Sequence, residues 1–209
     1  MSPHAARIDT IRRALHPLHA APTGPAWNQA ELEGLLPGDS ALVPAAVLVG
    51  LVARTDALNV LLTLRTDDLR NHAGQVSFPG GRVEAADPGP AAAALREARE
   101  EIGLQPAQVE PLGWLDPLAT ITGFRVLPLV GLVHGDAEPV PDPREVAAVF
   151  EVPLAHLLAP ANLRRVPIDY RGRTRYVLEY LPHDGGARIW GATASMLHNF
   201  MDRMDRRAS

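Results

Sequence analysis

Residues 61–103 read LLTLRTDDLRNHAGQVSFPGGRVEAADPGPAAAALREAREEIG, and the second half of that stretch decides the fold. Ala91 to Leu95 are mostly alanine, the strongest helix former. Asp87-Pro88-Gly89-Pro90 offers a cap and a proline for a first turn, and Gly103 suits the left-handed position just past a helix end. The helix so bounded carries Arg96, Glu97, Arg99, Glu100 and Glu101 within six positions. At about 100° per residue, Glu97, Glu100 and Glu101 share one face and point into a cleft, while Ala94, Leu95, Ala98 and Ile102 turn to the core. Like-charge pairs at this spacing cost roughly 0.2–0.5 kcal/mol each. Hard divalent cations relieve that repulsion, because Mg²⁺ and Mn²⁺ prefer oxygen ligands. The plainer reading is a solvated acidic face partly neutralised by Arg96 and Arg99. Just upstream, Val76 and Phe78 followed by Pro79-Gly80-Gly81 read as a strand ending in a turn. A glycine pair there lets the backbone approach a ligand closely and frees a carbonyl for a cation.

Outward from this core, Ile8, Ile11 and Leu15 have helical spacing, and residues 20–44 are rich in Pro and Gly and wrap as loop. Ala45–Ala53 and Asn59–Arg65 read as paired buried strands around the turn Arg54–Leu58. Val109–Trp114 and Phe124–His134 are further strands. Glu151-Val152-Pro153 leads into a short helix, Leu154–Leu158, and Leu163–Tyr170 with Thr174–Leu181 forms a hairpin around Arg171-Gly172-Arg173. Met196, Leu197, Phe200, Met201 and Met204 make one apolar stripe on a C-terminal helix, a core or dimer surface. Strands on both sides of one acidic helix suit an α/β fold with a mixed sheet held between helices.

The 209 residues can bury a real core in one domain. A net charge of −4 gives no electrostatic footprint for nucleic acid. All 20 basic residues are arginine, and the absence of cysteine excludes disulfides, thiol catalysis and zinc-thiolate sites. The N-terminal residues lack the apolar run of a signal peptide, and Ala45–Ala53 is too short to span a bilayer, so a cytoplasmic protein with no membrane partner is expected.

Gly81 to Leu104 resembles the signature of the Nudix hydrolases: a glycine, a spaced acid, then Arg96-Glu97, Glu100-Glu101, Gly103 and Leu104 in register. It departs twice, with Asp87 in place of the expected glutamate and one extra residue between Gly81 and Arg96. Upstream, Leu61-Leu62-Thr63, Arg65, Arg70, Gly74 and Phe78-Pro79-Gly80-Gly81 resemble the additional motif of the family's coenzyme A pyrophosphatase branch, with Thr66 where serine or alanine is usual. The resemblance implies a Nudix-type α/β/α sandwich, with residues 1–40 as an N-terminal helix and wrapping segment and 41–209 as the hydrolase domain. It also implies metal-dependent cleavage of the pyrophosphate of coenzyme A or its derivatives to 3′,5′-ADP and 4′-phosphopantetheine or an acyl form of it. The substrate is then a small molecule and the protein a monomer or homodimer. The alternatives are a pyrophosphatase acting on ADP-ribose or dinucleotides, and a catalytically silent nucleotide sensor. Intact Glu97, Glu100 and Glu101 speak against the silent form, as does the lack of a DNA-binding helical pattern.

The expected chemistry follows from charge. Glu97 and Glu101, one turn apart, are the principal ligands of Mg²⁺ or Mn²⁺; Glu100 is a further ligand or a base; a Gly81 or Gly80 carbonyl completes the sphere. Arg96 is expected to pair with a glutamate and hold its rotamer. Glu145, in Asp142-Pro143-Arg144-Glu145-Val146, is the candidate base from a separate loop, or else a surface acid. Arg65 and Arg70 match phosphate geometry, and Gly74, Gln75 and His72 border the same cleft. Trp114, Phe124, Tyr170 and Trp190 are the stacking candidates, each with a place in the core as its alternative.

Overall fold

The computed structural model describes residues 4–32, 34–35, 42–67, 73–134, 136–170 and 172–208. In chain order it runs α1 (Ala5–Ala14), β1 (Val43–Ala53), β2 (Leu58–Arg65), β3 (Val76–Ser77), β4 (Gly80–Arg82), α2 (Pro90–Ile102), β5 (Val109–Trp114), β6 (Leu118–Ala119) and β7 (Phe124–Val133). It continues through β8 (Val146–Pro153), α3 (Leu154–Leu157), β9 (Leu163–Tyr170), β10 (Arg173–Tyr180), β11 (Ile189–Trp190) and α4 (Gly191–Ala208).

The apolar run of β1 makes sense once its burial is seen. Ala45, Val49 and Leu51 join a core with Ile8 and Ile11 of α1 and Leu197 and Phe200 of α4. The intervening Ala46, Leu48 and Val52 join a second core with Ala93, Ala94, Ala98 and Ile102 of α2. Alternate residues therefore bury into opposite layers, as a strand covered on both faces requires. β1 pairs in parallel with β7, from Val43↔Phe124 to Val52↔Val133, and antiparallel with β2. The sheet order is β3-β2-β1-β7-β5, with β4 beside β1, β6 beside β7 and β8 beside β2. This is the expected mixed sheet between helices. Met196, Leu197 and Phe200 lie in the core and Met204 packs against it, so the methionine stripe is core.

Two expectations are corrected. The Gly80-Gly81 pair is no turn: it begins β4, which pairs with Ala46 and Val47 of β1. A Cβ at Gly80 would stand 2.6 Å from Val47 Cα, so only glycine permits this approach. Asp87 does not cap α2; Gly89 holds the cap position without a side-chain bond, and Asp87 is engaged elsewhere. Ahead of α3, the strand β8 starts at Val146 and pairs with Asn59 to Arg65 of β2. The expected hairpin forms as β9–β10, and β11 joins it in a separate three-stranded sheet. No helix among the described residues is long and apolar enough to cross a membrane.

Candidate active site

Burying Ala98 and Ile102 of α2 against the sheet fixes what the three glutamates meet. They share a face but not an environment. Glu101 is only 3% exposed, whereas the Glu97 and Glu100 side chains are 18% and 48% exposed. The expectation that all three face a cleft is thus corrected for Glu101, which the helix seats inward beside Ile102. Its Oε2 accepts the Gly80 N–H at 3.2 Å, and its Oε1 lies 3.5 Å from Arg65 Nη1 at the end of β2. Glu97 presses on Gly81: a Cβ there would fall 2.5 Å from Glu97 Cδ. The glycine pair therefore serves two sides at once, with β1 behind and the carboxylates in front.

Arg96 gathers the acids around it. Its Nη1 donates to Glu97 Oε1 and Glu100 Oε2, both at 3.0 Å. Its Nε reaches Asp87 Oδ1 at 3.0 Å, and Nη2 reaches Asp87 Oδ2 at 3.2 Å and the Arg82 carbonyl at 3.1 Å. This explains the aspartate that departs from the usual glutamate: Asp87 anchors Arg96 and, accepting the Glu84 N–H at 2.8 Å, closes its own loop. The Arg96 guanidinium holds the Asp87 carboxyl below its ordinary range.

Glu101 behaves oppositely. Burial pushes its carboxyl up to about 7; Arg65 and the Gly80 N–H oppose the rise, and Glu97 and Glu145 add to it. Burial also raises Glu97, against Arg96. Glu145 reaches this group from another element, just ahead of β8. Its N–H donates to the Asp142 carbonyl and its carbonyl accepts the Thr66 N–H, both at 3.0 Å. The neighbouring Arg144 is taken up by Asp142, bonding through Nη2 at 2.5 Å.

Among the described residues no three acidic or imidazole side chains converge on one point, since the Arg96 guanidinium stands between Glu97 and Glu100. The donor set nonetheless fits a hard divalent cation: all oxygen, largely buried and acidic beyond what Arg65 and Arg96 offset.

A cleft of about 710 Å³ opens beside Arg65, Gln75, Gly80 and Gly81. The Gln75 carbonyl accepts the Arg65 N–H at 3.0 Å. Gly74 is left-handed at φ 65°, where a Cβ would lie 2.7 Å from Asp67 Oδ1, so the close approach to Asp67 favours glycine there. Arg70 and His72 lie outside the described residues. Of the stacking candidates, Phe124 and Trp190 line the cleft. Trp114 is core, its indole N–H bonded to the Leu18 carbonyl at 3.2 Å, and Tyr170 closes β9 near the hairpin tip. Sequence reasoning missed Trp27, Arg165 and Tyr176, which also line the cleft. Arg165 and Tyr176 share a face only through the hairpin register, and nothing local in the sequence shows that this face meets the cleft. A smaller hollow of about 440 Å³, beside Asn59, Glu151 and His183, stands apart from the carboxylates.

The sequence profile of the NUDIX domain matches residues 42–171. The "Uncharacterized Nudix hydrolase NudL" of Klebsiella pneumoniae (strain 342) is 38% identical over 198 residues, 94% of each chain. The protein of the same name from Cronobacter sakazakii (strain ATCC BAA-894) is 44% identical over 154 residues, 73% of this chain and 78% of the other. In three dimensions, the MutT protein of Methanosarcina mazei Go1 matches 82% of this chain and 98% of its own with a TM-score of 0.51 at 19% identity, a likeness of fold.

Proposed function

This chain belongs to the Nudix hydrolase family, and from that premise we propose that it cleaves the pyrophosphate of coenzyme A or its derivatives, releasing 3′,5′-ADP and 4′-phosphopantetheine or its acyl form. The observation that carries pyrophosphate hydrolysis is the buried Glu101, crowded by Glu97 and Glu145 and held against Gly80 and Arg65, which line the cleft. Coenzyme A, among pyrophosphates, is favoured by the run from Leu61 to Gly81 that resembles the coenzyme A branch.

Members of this family generally require Mg²⁺ or Mn²⁺. Glu97 and Glu101 would hold the ion, with Glu100 as a further ligand or base and a Gly81 or Gly80 carbonyl completing the sphere. Bound there, it supplies charge neutralisation for the phosphates and acidifies a water. The chain's own groups do the rest. Arg96, braced by Asp87, fixes the rotamers of Glu97 and Glu100. Arg65 Nε is buried with no hydrogen-bond partner among the described residues, which leaves a guanidinium donor for a phosphate oxygen. Arg70, Gly74 and Gln75 complete the proposed substrate contacts. Glu145, carried on a separate loop, accepts the proton of the attacking water.

Incubation with coenzyme A, ADP-ribose and NADH under matched Mg²⁺, followed by chromatography of products, tests this reading. Fastest turnover on coenzyme A, with 3′,5′-ADP as product, is expected. Preference for ADP-ribose or NADH overturns it.

A further inference from the structure

The wall of the cleft that the β9–β10 hairpin contributes has a chemistry unlike that around Arg65, Gly80 and Gly81. In the β9–β10 hairpin, Pro167 pairs with Tyr176 and Arg165 with Leu178, which puts Arg165 and Tyr176 diagonally on one face. Arg165 Cζ lies 5.4 Å from the centre of the Tyr176 ring. Tyr176 is 60% exposed, an unusual state for so large an apolar surface. Two nearby arginines are taken up by an acid: Arg164 and Arg188 both bind Glu179, Arg188 through Nη2 at 2.5 Å. Arg165 has no acidic partner among the described residues, and it lines the same cleft as Arg65, Gly80 and Gly81. One cleft thus runs from Arg65, Gly80 and Gly81, which touch the α2 carboxylates, to a guanidinium on an open aromatic ring.

A ligand complementary to both ends carries a pyrophosphate at one and an aromatic base with a second anionic group at the other. Aromatic faces stack nucleobases irrespective of sequence, and guanidinium matches phosphate. We infer that Arg165 and Tyr176 form the subsite for the 3′-phosphoadenosine half of the substrate, Tyr176 stacking the base and Arg165 binding the 3′-phosphate. The inference rests on the coenzyme A reading, since ADP-ribose and NADH lack that phosphate. Both side chains also form before any ligand arrives, because the cation–π contact holds the guanidinium over the ring.

The test is calorimetric titration of the full chain with 3′,5′-ADP and with 5′-AMP, neither of which can be hydrolysed at a pyrophosphate. The wild type is expected to bind 3′,5′-ADP about tenfold more tightly than 5′-AMP. Arg165→Gln should abolish that preference while leaving 5′-AMP affinity unchanged. Tyr176→Leu should weaken both nucleotides about tenfold, with Tyr176→Phe restoring them. Equal binding of the two nucleotides by the wild type, or equal losses on both in Arg165→Gln, overturns the phosphate assignment; undiminished binding in Tyr176→Leu overturns the stacking assignment. These outcomes separate from those of the product assay. Preference for ADP-ribose as substrate alongside an Arg165-dependent grip on 3′,5′-ADP would sink the coenzyme A reading and keep the subsite. Fast coenzyme A hydrolysis with no role for Arg165 would do the reverse.

Discussion

Two carboxylates, Glu101 on α2 and Asp116 just past β5, are both withdrawn from water, and they have opposite fates. Asp116 lies where α1 and α4 meet. Its Oδ1 bonds His16 Nε2 at 2.7 Å, Asn199 Nδ2 donates to its Oδ2 at 2.9 Å, and Arg203 Nη1 reaches both oxygens at 3.0 Å. Burial alone would raise its carboxyl, but the bonds from His16, Asn199 and Arg203 outweigh it and hold Asp116 at about 2. Glu101 is more deeply buried and has one N–H and one arginine at 3.5 Å for relief, with Glu97 and Glu145 working against it. A compensated buried acid fastens helices to a sheet; an under-compensated one is a seat for a cation. The contrast separates architecture from chemistry without appeal to residue type.

Swapping each acid for its amide should therefore give mirror-image results. Glu101→Gln is expected to lower turnover roughly 10²–10³-fold. Its metal-free form should melt no earlier than the wild type, because a neutral group replaces a buried, poorly paired charge. Kinetics on coenzyme A and a thermal melt in chelator check both halves; a folded variant turning over normally would break the comparison. Glu145→Gln comes next, with a maximal rate roughly 10²-fold lower, unchanged Mn²⁺ affinity and an altered acidic limb in the pH–rate profile. A variant that keeps its rate and profile would make Glu145 a surface acid.

Asp116→Asn should do the opposite, keeping turnover while urea unfolding shows a loss of roughly 1.5–3 kcal/mol, the worth of hydrogen bonds to a charged group. The pH dependence sharpens the point. Because the folded value is the lower one, the unfolded chain takes up this proton first as pH falls. The stabilisation is complete above pH 3.8 and drains away as the pH drops through about 2. Wild-type stability should therefore fall more steeply than that of Asp116→Asn across this window, by up to about 1.4 kcal/mol per pH unit. Parallel curves would show that Asp116 is not the group responsible.

The sequence made much of this legible and left particular things dark. The unbroken apolar run Ala45–Ala53 and the alanine-rich glutamate helix ending at Gly103 are local patterns, and both elements stand where those patterns put them. The different fates of Glu97, Glu100 and Glu101 are not local. They depend on how far Ile102 sinks and on β4 lying against β1, a contact between residues more than thirty positions apart. Asp87 looked like a cap because its neighbours are Pro and Gly, yet a guanidinium nine residues on outcompetes the helix N-terminus. Tyr176 and Arg165 carry no motif at all; only the folding of the hairpin across the cleft gives them a shared position. Asp116 was equally silent, since its partners His16, Asn199 and Arg203 are about a hundred residues or nearly so to either side.

The most direct measurement is titration of Mn²⁺ into the metal-free wild type, Glu101→Gln and Asp116→Asn, followed by electron paramagnetic resonance. The wild type and Asp116→Asn are expected to bind the ion alike, and Glu101→Gln to bind it at least about tenfold more weakly. Equal affinity in Glu101→Gln and the wild type, or a matching loss in Asp116→Asn, would contradict the claim that the under-compensated carboxylates of α2 are the seat of the cation.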